Sequence, residues 1–514
     1  MKTFKRILSA VLALAMVFAL AACGSSGSSS GESESESGAS SSSENDNSVT
    51  VGISQELDSL DPHNASLAGT REVLFNIFDG LVKATSDGDL EPAVAQSYEV
   101  SEDAASITFV LRDGIQFSDG SYVTVDDVIY SVERYAEGTA ASDAFLEYFE
   151  SITAVDDSTI LVTLTEANTE FIYEMTCEIM PEANDENVET NPIGTGPFKI
   201  ESYTAGDSLV VSRNEYYWKD GLPYLDEVTF KVVTDTDTAI LQLNAGTLDI
   251  FQYLTVDEAS TLSDDFNIVE GSVNYVQALY LNNDFEPFSN ILVRQALCYA
   301  IDKDEINSIL SDGKAYLLGT QMIETMSKYY NTETESVYSY DPDKALELLE
   351  EAGYGDGFSF TIAVPSNYAP HQSVAEIIVD QLAEIGIDVT IELMDMSTWL
   401  ETVYQNREYE ATIVAVDGDL APNSWMARFV STASNNFINF ESEEFDELYA
   451  LAVSTIDDDE KTEYYKELQM ILTENAASVF IQDNLNLVAV NADLEGYIFY
   501  PISAQDMSVV KYKD

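Results

Sequence analysis

The chain has 514 residues, 45% of them hydrophobic, with 22 basic side chains against 92 acidic ones and a formal net charge of −70. So acidic a surface argues against nucleic acid and against charge-driven binding to anionic membrane. The acid is spread along the chain, as on solvated faces, and the length suffices for two lobes with separate cores.

Met1 to Cys23 reads as a secretory signal: Lys2, Lys5 and Arg6, an apolar run from Ile7 to Ala22, then Leu20-Ala21-Ala22-Cys23, a lipobox that marks Cys23 for lipidation. Residues 24–47, almost wholly Ser, Gly, Glu, Asp and Asn, cannot bury a core and read as a disordered tether. The run Gly27-Ser28-Ser29-Ser30-Gly31 matches a nucleophile elbow only in letters, since no strand precedes it and no helix follows.

From Ser48 the chain reads as folded. VGISQELDSLDPHN gives a strand and the loop Leu60-Asp61-Pro62, and REVLFNIFDGLV gives a helix with Val73, Leu74, Ile77 and Leu81 on one face, closed by Gly80. In SYEVSEDAASITFVLRDGIQFSDGSYVTVDDVIYSVER, Ile107, Phe109 and Leu111 alternate on a strand. Asp119-Gly120 makes a turn there, and Thr124 with Asp127 caps the next helix.

NPIGTGPFKIESY lacks the third glycine of a dinucleotide cradle and reads as a turn between strands, while Asp235 or Asp237 caps a helix before Asn244. Tyr275 to Leu281 reads as a buried strand, broken at Asn282-Asn283-Asp284 and followed by a helix through Ile291, Leu292, Ala296, Leu297 and Ala300.

Asp341-Pro342 opens a helix that Gly353 ends. Strand, helix, strand and strand follow at 358–364, 374–385, 387–393 and 409–416, a pattern that predicts a mainly parallel α/β sheet. Ligands bind off the carboxyl ends of such strands, which directs attention to the loop after Val416, DGDLAPNSW. A last helix spans 458–472, and the apolar stretch 479–483 carries the chain back to the first lobe.

The motifs NPIGTGPF, RNEYYWKDGLPYLDEVTF, PFSNILVRQALCYAIDKDEI and YDPDKALELLEEAGY, with the long run ending at Arg134, resemble bacterial extracellular solute-binding proteins of family 5, the peptide-binding class, over most of residues 49–510. The resemblance implies an α/β, two-lobed periplasmic-binding-protein-like clamp, class C or type II-like, with two interlobe crossings. Its expected parts are lobe I at 48–274 with an inserted subdomain at about 90–190, lobe II at 275–482, and a return to lobe I at 483–514.

In peptide-binding members the loop after Val416 carries an aspartate that pairs with the peptide's α-ammonium, which makes Asp417 and Asp419 the candidates. Tyr368, Trp399 and Trp425 are candidate apolar walls, and Arg428 is a spare cation able to meet a carboxylate. Dipeptide binders place an arginine where this chain has Ser366, a departure that points to longer peptides or another ligand.

The expected function is an extracellular substrate-binding lipoprotein of an ABC importer. It binds peptides, oligopeptides first, by lobe closure and hands them to a membrane permease, and a nickel chelate, sugar or opine-like solute is the alternative. The expected setting is a monomer anchored through Cys23 to the outer face of the cytoplasmic membrane of a Gram-positive cell, with no nucleic acid partner, no cofactor and no metal. Cys177 and Cys298 read as free, partly buried thiols, and His63 and His371 as solvated loop residues. An exported hydrolase is the competing class, but the chain has no HExxH and no nucleophile with a base beside it.

Overall fold

Three sheets organise the protein, whose computed structural model describes residues 47–366 and 368–513; Cys23 and the tether before Asn47 lie outside the described residues. The first is a seven-stranded mixed sheet in the order Phe266–Ser272, Leu485–Asn491, Ile250–Leu254, Ser48–Ile53, Glu227–Val232, Ser208–Arg213 and Phe198–Thr204. The second has six strands, Tyr316–Leu317, Ser478–Asp483, Val276–Leu281, Ala411–Val416, Ser359–Pro365 and Asp388–Met394. A four-stranded antiparallel sheet, Ala95–Val100, Ser106–Leu111, Thr159–Leu164 and Phe149–Asp156, stands apart around its own core of Ile107, Phe109, Phe117 and Phe145.

The chain crosses from the first sheet to the second between Ser272 and Val276 and returns between Asp483 and Leu485, slightly beyond the stretch expected at 479–483. The crossings lie side by side: the Val273 N–H donates to the Asn484 carbonyl at 3.0 Å and the Tyr275 N–H to Asp483 Oδ1 at 3.2 Å. Asn274 takes a left-handed backbone, φ 67°, which Asn tolerates better than most side chains. Two short connections in register make a hinge between the sheets.

The hinge corrects the expectation of a mainly parallel sheet. Val276–Leu281 enters the lobe at the hinge and Ser478–Asp483 leaves there, so as neighbours they run antiparallel. Val276–Leu281 is also antiparallel to Ala411–Val416, pairing Val276 with Val416; only Ser359–Pro365 has parallel partners, Asp388–Met394 and Ala411–Val416. The loop after Val416 therefore emerges at the hinge, beside Tyr275.

Local signals read from the sequence are present. Thr124 and Asp127 form a reciprocal capping box on the helix Val125–Tyr135, and Asp235 caps Thr236–Asn244. Asp341 caps Pro342–Glu351, and Gly353 follows at φ 87°. The helix expected at 71–82 is shorter: Ala68–Leu74 ends well before Leu81, which packs with the four-stranded sheet. The chain must turn there because Asn76 and Ile77 accept backbone bonds from Phe198 and Gly196. A Cβ at Gly194 would lie 2.2 Å from the Ile77 carbonyl oxygen, so close backbone approach, not phosphate binding, accounts for that glycine.

Two arginines of the recognised motifs hold the fold. Arg134 clamps Asp61 through both terminal guanidinium nitrogens, at 2.9 and 2.6 Å, and joins the Leu60-Asp61-Pro62 loop to the helix Val125–Tyr135. Burial raises the Asp61 carboxyl, but the bonds and charge of Arg134 outweigh it and leave the pKa below its ordinary value.

Arg294, 7% exposed, donates to the carbonyls of Phe288 (2.7 Å), Asn475 (2.9 Å) and Ala476 (3.0 Å). It thereby closes the C-terminus of the helix Asp458–Glu474. Arg294→Met keeps the stem and strands these carbonyls, so we expect a loss of about 2–4 kcal/mol in denaturant unfolding. An unchanged midpoint would show that the guanidinium contributes no stability.

Candidate ligand site

A cavity of about 320 Å³ lies where the loop after Val416, the first crossing and the region around the four-stranded sheet meet. Its construction begins with a tryptophan. Trp425 is fully buried in the short helix Pro422–Met426, and a Cβ at Gly418 would sit 2.5 Å from its ring, so the loop backbone lies directly on the indole.

The Trp425 Nε1–H donates to the Asp419 carbonyl at 2.9 Å. Ser424 Oγ accepts the Asp419 N–H at 2.7 Å and donates to the Ala421 carbonyl at 2.7 Å. Arg428 Nη2 donates to the Asp417 carbonyl at 3.3 Å. With the backbone braced from beneath, the side chains of Asp417 and Asp419 line the cavity.

Trp425→Ala would leave a large void under this loop, and we expect about 3–5 kcal/mol lost stability. Weakened ligand affinity should accompany it, read by denaturant unfolding and titration of the same variant. Affinity that stays intact would show that the indole does not set the loop.

Arg71, Tyr135, Tyr173, Glu174, Cys177 and Glu178 line the cavity on another side, and Asn274 and Tyr275 bring the hinge itself into it. Ser142 Oγ donates to Glu174 Oε2 at 2.7 Å. Burial, then the charge of Asp419, raises Glu174 to about 7. Burial also raises Glu178 to about 7, against the lowering effects of its own N–H and Arg71. Burial, with the charge of Asp417 adding to it, raises the Asp419 carboxyl above its ordinary value, and the charge of Arg71 pulls the other way. Asp417 and Asp419 are both solvent-exposed and line the cavity. The cavity thus gathers carboxylates from both sides, a field that favours a cation.

Beside the cavity a second contact joins its walls. Glu170 directly precedes the 3₁₀ turn Phe171–Thr176, which carries Tyr173 and Glu174. Its carboxyl accepts from Tyr465 Oη at 2.6 Å and from the Asn423 N–H at 3.0 Å, and the Thr169 N–H donates to the Val453 carbonyl at 3.0 Å. Asn423 belongs to the helix that supports the aspartate loop, so one buried glutamate ties that helix to the facing wall. Burial raises its carboxyl to about 7, against the charge of Lys461.

Of the residues expected from sequence, Asp417 and Asp419 line the cavity, while Trp425 and Arg428 support it from behind. Two others sit elsewhere. Trp399 is 4% exposed in the core of the second lobe, its Nε1–H donating to Thr412 Oγ1 at 2.9 Å, so it is a packing residue and not a cavity wall. Tyr368 is 44% exposed, lies against His371 and does not line the cavity.

The histidines are not solvated. His63 Nε2 donates to the Glu178 carbonyl at 2.9 Å, Gln277 Nε2 donates to His371 Nδ1 at 2.8 Å, and burial lowers both rings to about 4. Cys177 and Cys298 are free, buried thiols in separate cores. Among the described residues no group of three or more His, Cys, Asp or Glu is arranged to hold a metal ion. The sequence reading missed Arg71, Glu174, Glu178 and Tyr275. Two glutamates four apart in the apolar run FIYEMTCEIM were the available signal.

Residues 89–437 match the family model for bacterial extracellular solute-binding proteins, family 5 Middle. The chain belongs to this family. A relative from Salmonella typhi, glutathione-binding protein GsiB, is 28% identical over 475 residues, covering 88% of this chain and 92% of that protein. Among solved structures, HbpA2 from Haemophilus parasuis superposes with TM-score 0.82 at 24% identity, covering 91% of this chain and 100% of that one. The ABC transporter-associated periplasmic binding protein DppA from Helicobacter pylori, in complex with the peptide STSA, superposes with TM-score 0.74 at 25% identity, covering 91% and 98%. The fold is the two-lobed clamp of these family 5 proteins, and the protein is a solute-binding protein of the ABC-transporter class. Among the described residues no helix is long and apolar enough to cross a membrane.

Proposed function

We propose that the protein captures peptides outside the cell and delivers them to an ABC permease, by binding and release without chemistry. The lobes span 48–274 and 275–482, with a subdomain at about 90–190 and a return at 483–514. They close about the paired crossings, and a lipid on Cys23 tethers the monomer to the outer face of the cytoplasmic membrane.

The observation that carries this reading is the braced loop whose Asp417 and Asp419 carboxylates share the cavity with Glu174. An acidic cavity of this kind suits an ammonium group, to which carboxylates form short, charge-assisted hydrogen bonds. The DppA complex with STSA and the name of the glutathione-binding relative support a peptide-like solute. A volume of about 320 Å³, at the low end of the roughly 300–1,000 Å³ common for ligand cavities, favours short peptides over long ones.

Native mass spectrometry of the protein purified without refolding tests this directly. A carried mass that fragments as a peptide is the expected result. A sugar, a nickel chelate or an opine-like compound in its place would overturn the peptide reading while leaving the transport class intact.

A further inference from the structure

Arg71 differs from every other described arginine. Arg112, Arg134, Arg213, Arg294, Arg407 and Arg428 each donate a hydrogen bond to a protein oxygen. Arg71 makes no side-chain hydrogen bond and no salt bridge to any described residue, yet it lines the cavity and is the one cationic side chain that does so. It stands in the last turn of the helix Ala68–Leu74. It lines the same cavity as Glu178, Asp419 on the aspartate loop and Tyr275 at the hinge, and its charge lowers the carboxyl pKa values of Glu178 and Asp419.

A guanidinium is planar, always charged and forked to match a carboxylate. When the lobes close, an enclosed cation without a hydrogen-bonded partner is costly. Arg71 shares the cavity with Asp417 and Asp419, and it offers a solute carboxylate the cationic partner that the rest of the lining lacks.

We propose that Arg71 holds the anionic end of the solute, which makes the ligand a short zwitterion with its ammonium on the Asp417–Asp419 loop and its carboxylate on the first lobe. This rests on the amine-pairing reading above. It adds a requirement that reading lacks: a free carboxylate within one cavity's length of the amine. An alternative role, in which Arg71 only offsets the charge of Asp419, predicts no preference for a free carboxylate.

The test is titration calorimetry of the full chain in detergent, stripped of ligand by unfolding and refolding. A pool of free tripeptides, the same pool amidated at the C-terminus and the same pool acetylated at the N-terminus are titrated into wild type and Arg71→Gln. The substitution is at an exposed side chain, and far-ultraviolet circular dichroism with an unchanged unfolding midpoint checks the fold. Amidation should weaken binding to wild type by at least about tenfold, the scale of a lost charged hydrogen bond. It should add nothing in Arg71→Gln, whose binding of the free pool falls by a similar factor.

Equal loss on amidation in both proteins, or no loss in wild type, overturns the Arg71 proposal and leaves amine pairing standing. Indifference to acetylation with the Arg71-dependent amidation effect intact overturns amine pairing and leaves Arg71 standing. No binding by any pool overturns both.

Discussion

Asp419→Asn is expected to weaken binding of a free-amine peptide by roughly thirtyfold to several-thousandfold, the 2–5 kcal/mol typical of removing one partner of a desolvated, hydrogen-bonded charge pair. Asn keeps the size and the backbone contacts, so the Trp425 and Ser424 bonds to the Asp419 main chain persist and the loop should stay in place. Asp417→Asn should cost less, since Asp419 is the member whose charge Glu174 feels.

The same geometry makes binding release protons. A ligand ammonium favours the ionised forms of Asp419 and Glu174, and Glu174 stands at about 7 without ligand. Near neutral pH the calorimetric enthalpy should therefore change with the ionisation enthalpy of the buffer, and affinity should fall as pH drops below about 7. Glu174→Gln should remove much of that buffer dependence. A buffer-independent enthalpy at pH 6.5 would exclude a protonated Glu174 from the site.

The ligand-free protein should lose stability as pH rises from about 4.5 through about 7. Glu170, Glu174 and Glu178 each stand at about 7, raised by burial from an ordinary value of 4.5. A carboxyl whose folded pKa is raised binds more protons folded than unfolded, so its contribution is fully present below 4.5 and is lost as pH passes the folded value. His63 and His371, lowered by burial from 6.5 to about 4, work in the opposite sense across the same window and offset part of this, which leaves a net decline on the order of a few kcal/mol.

Asp61 acts in the opposite sense and lower on the scale. Its pKa is held below the ordinary 3.8, so its contribution is lost as pH falls beneath that value. Denaturant unfolding across pH 4 to 8 should show the decline, and Glu170→Gln, which keeps an acceptor for Tyr465 and Asn423, should flatten it. A curve that rises steadily through this window would contradict the assignment of raised pKa values to these glutamates.

What the sequence disclosed depended on how local each feature is. The caps at Thr124, Asp235 and Asp341 and the stop at Gly353 are settled within a turn of chain, and each is present as expected. The loop after Val416 was found through a rule about strand ends, although the sheet proved mixed. The rule still pointed to the right place because pairing of Val276 with Val416 brings that end to the hinge.

Arg71, Glu174 and Glu178 were missed because their approach to Asp419 depends on packing between segments more than 200 residues apart. Trp399 and Trp425 look alike in sequence. Thr412 beneath one and the Asp419 carbonyl above the other decide which packs the core and which braces the site. The histidines were misread because their partners, a backbone carbonyl at Glu178 and the Gln277 amide, lie on distant segments.

The most direct test of amine capture at the hinge-side loop is calorimetric titration of the refolded, ligand-free protein with peptides of two to eight residues, each with a free and with an acetylated N-terminus. The account predicts saturable binding of free peptides, strongest among the short ones, that disappears on acetylation. Equal binding of free and acetylated peptides, or no heat with any of them, would contradict it.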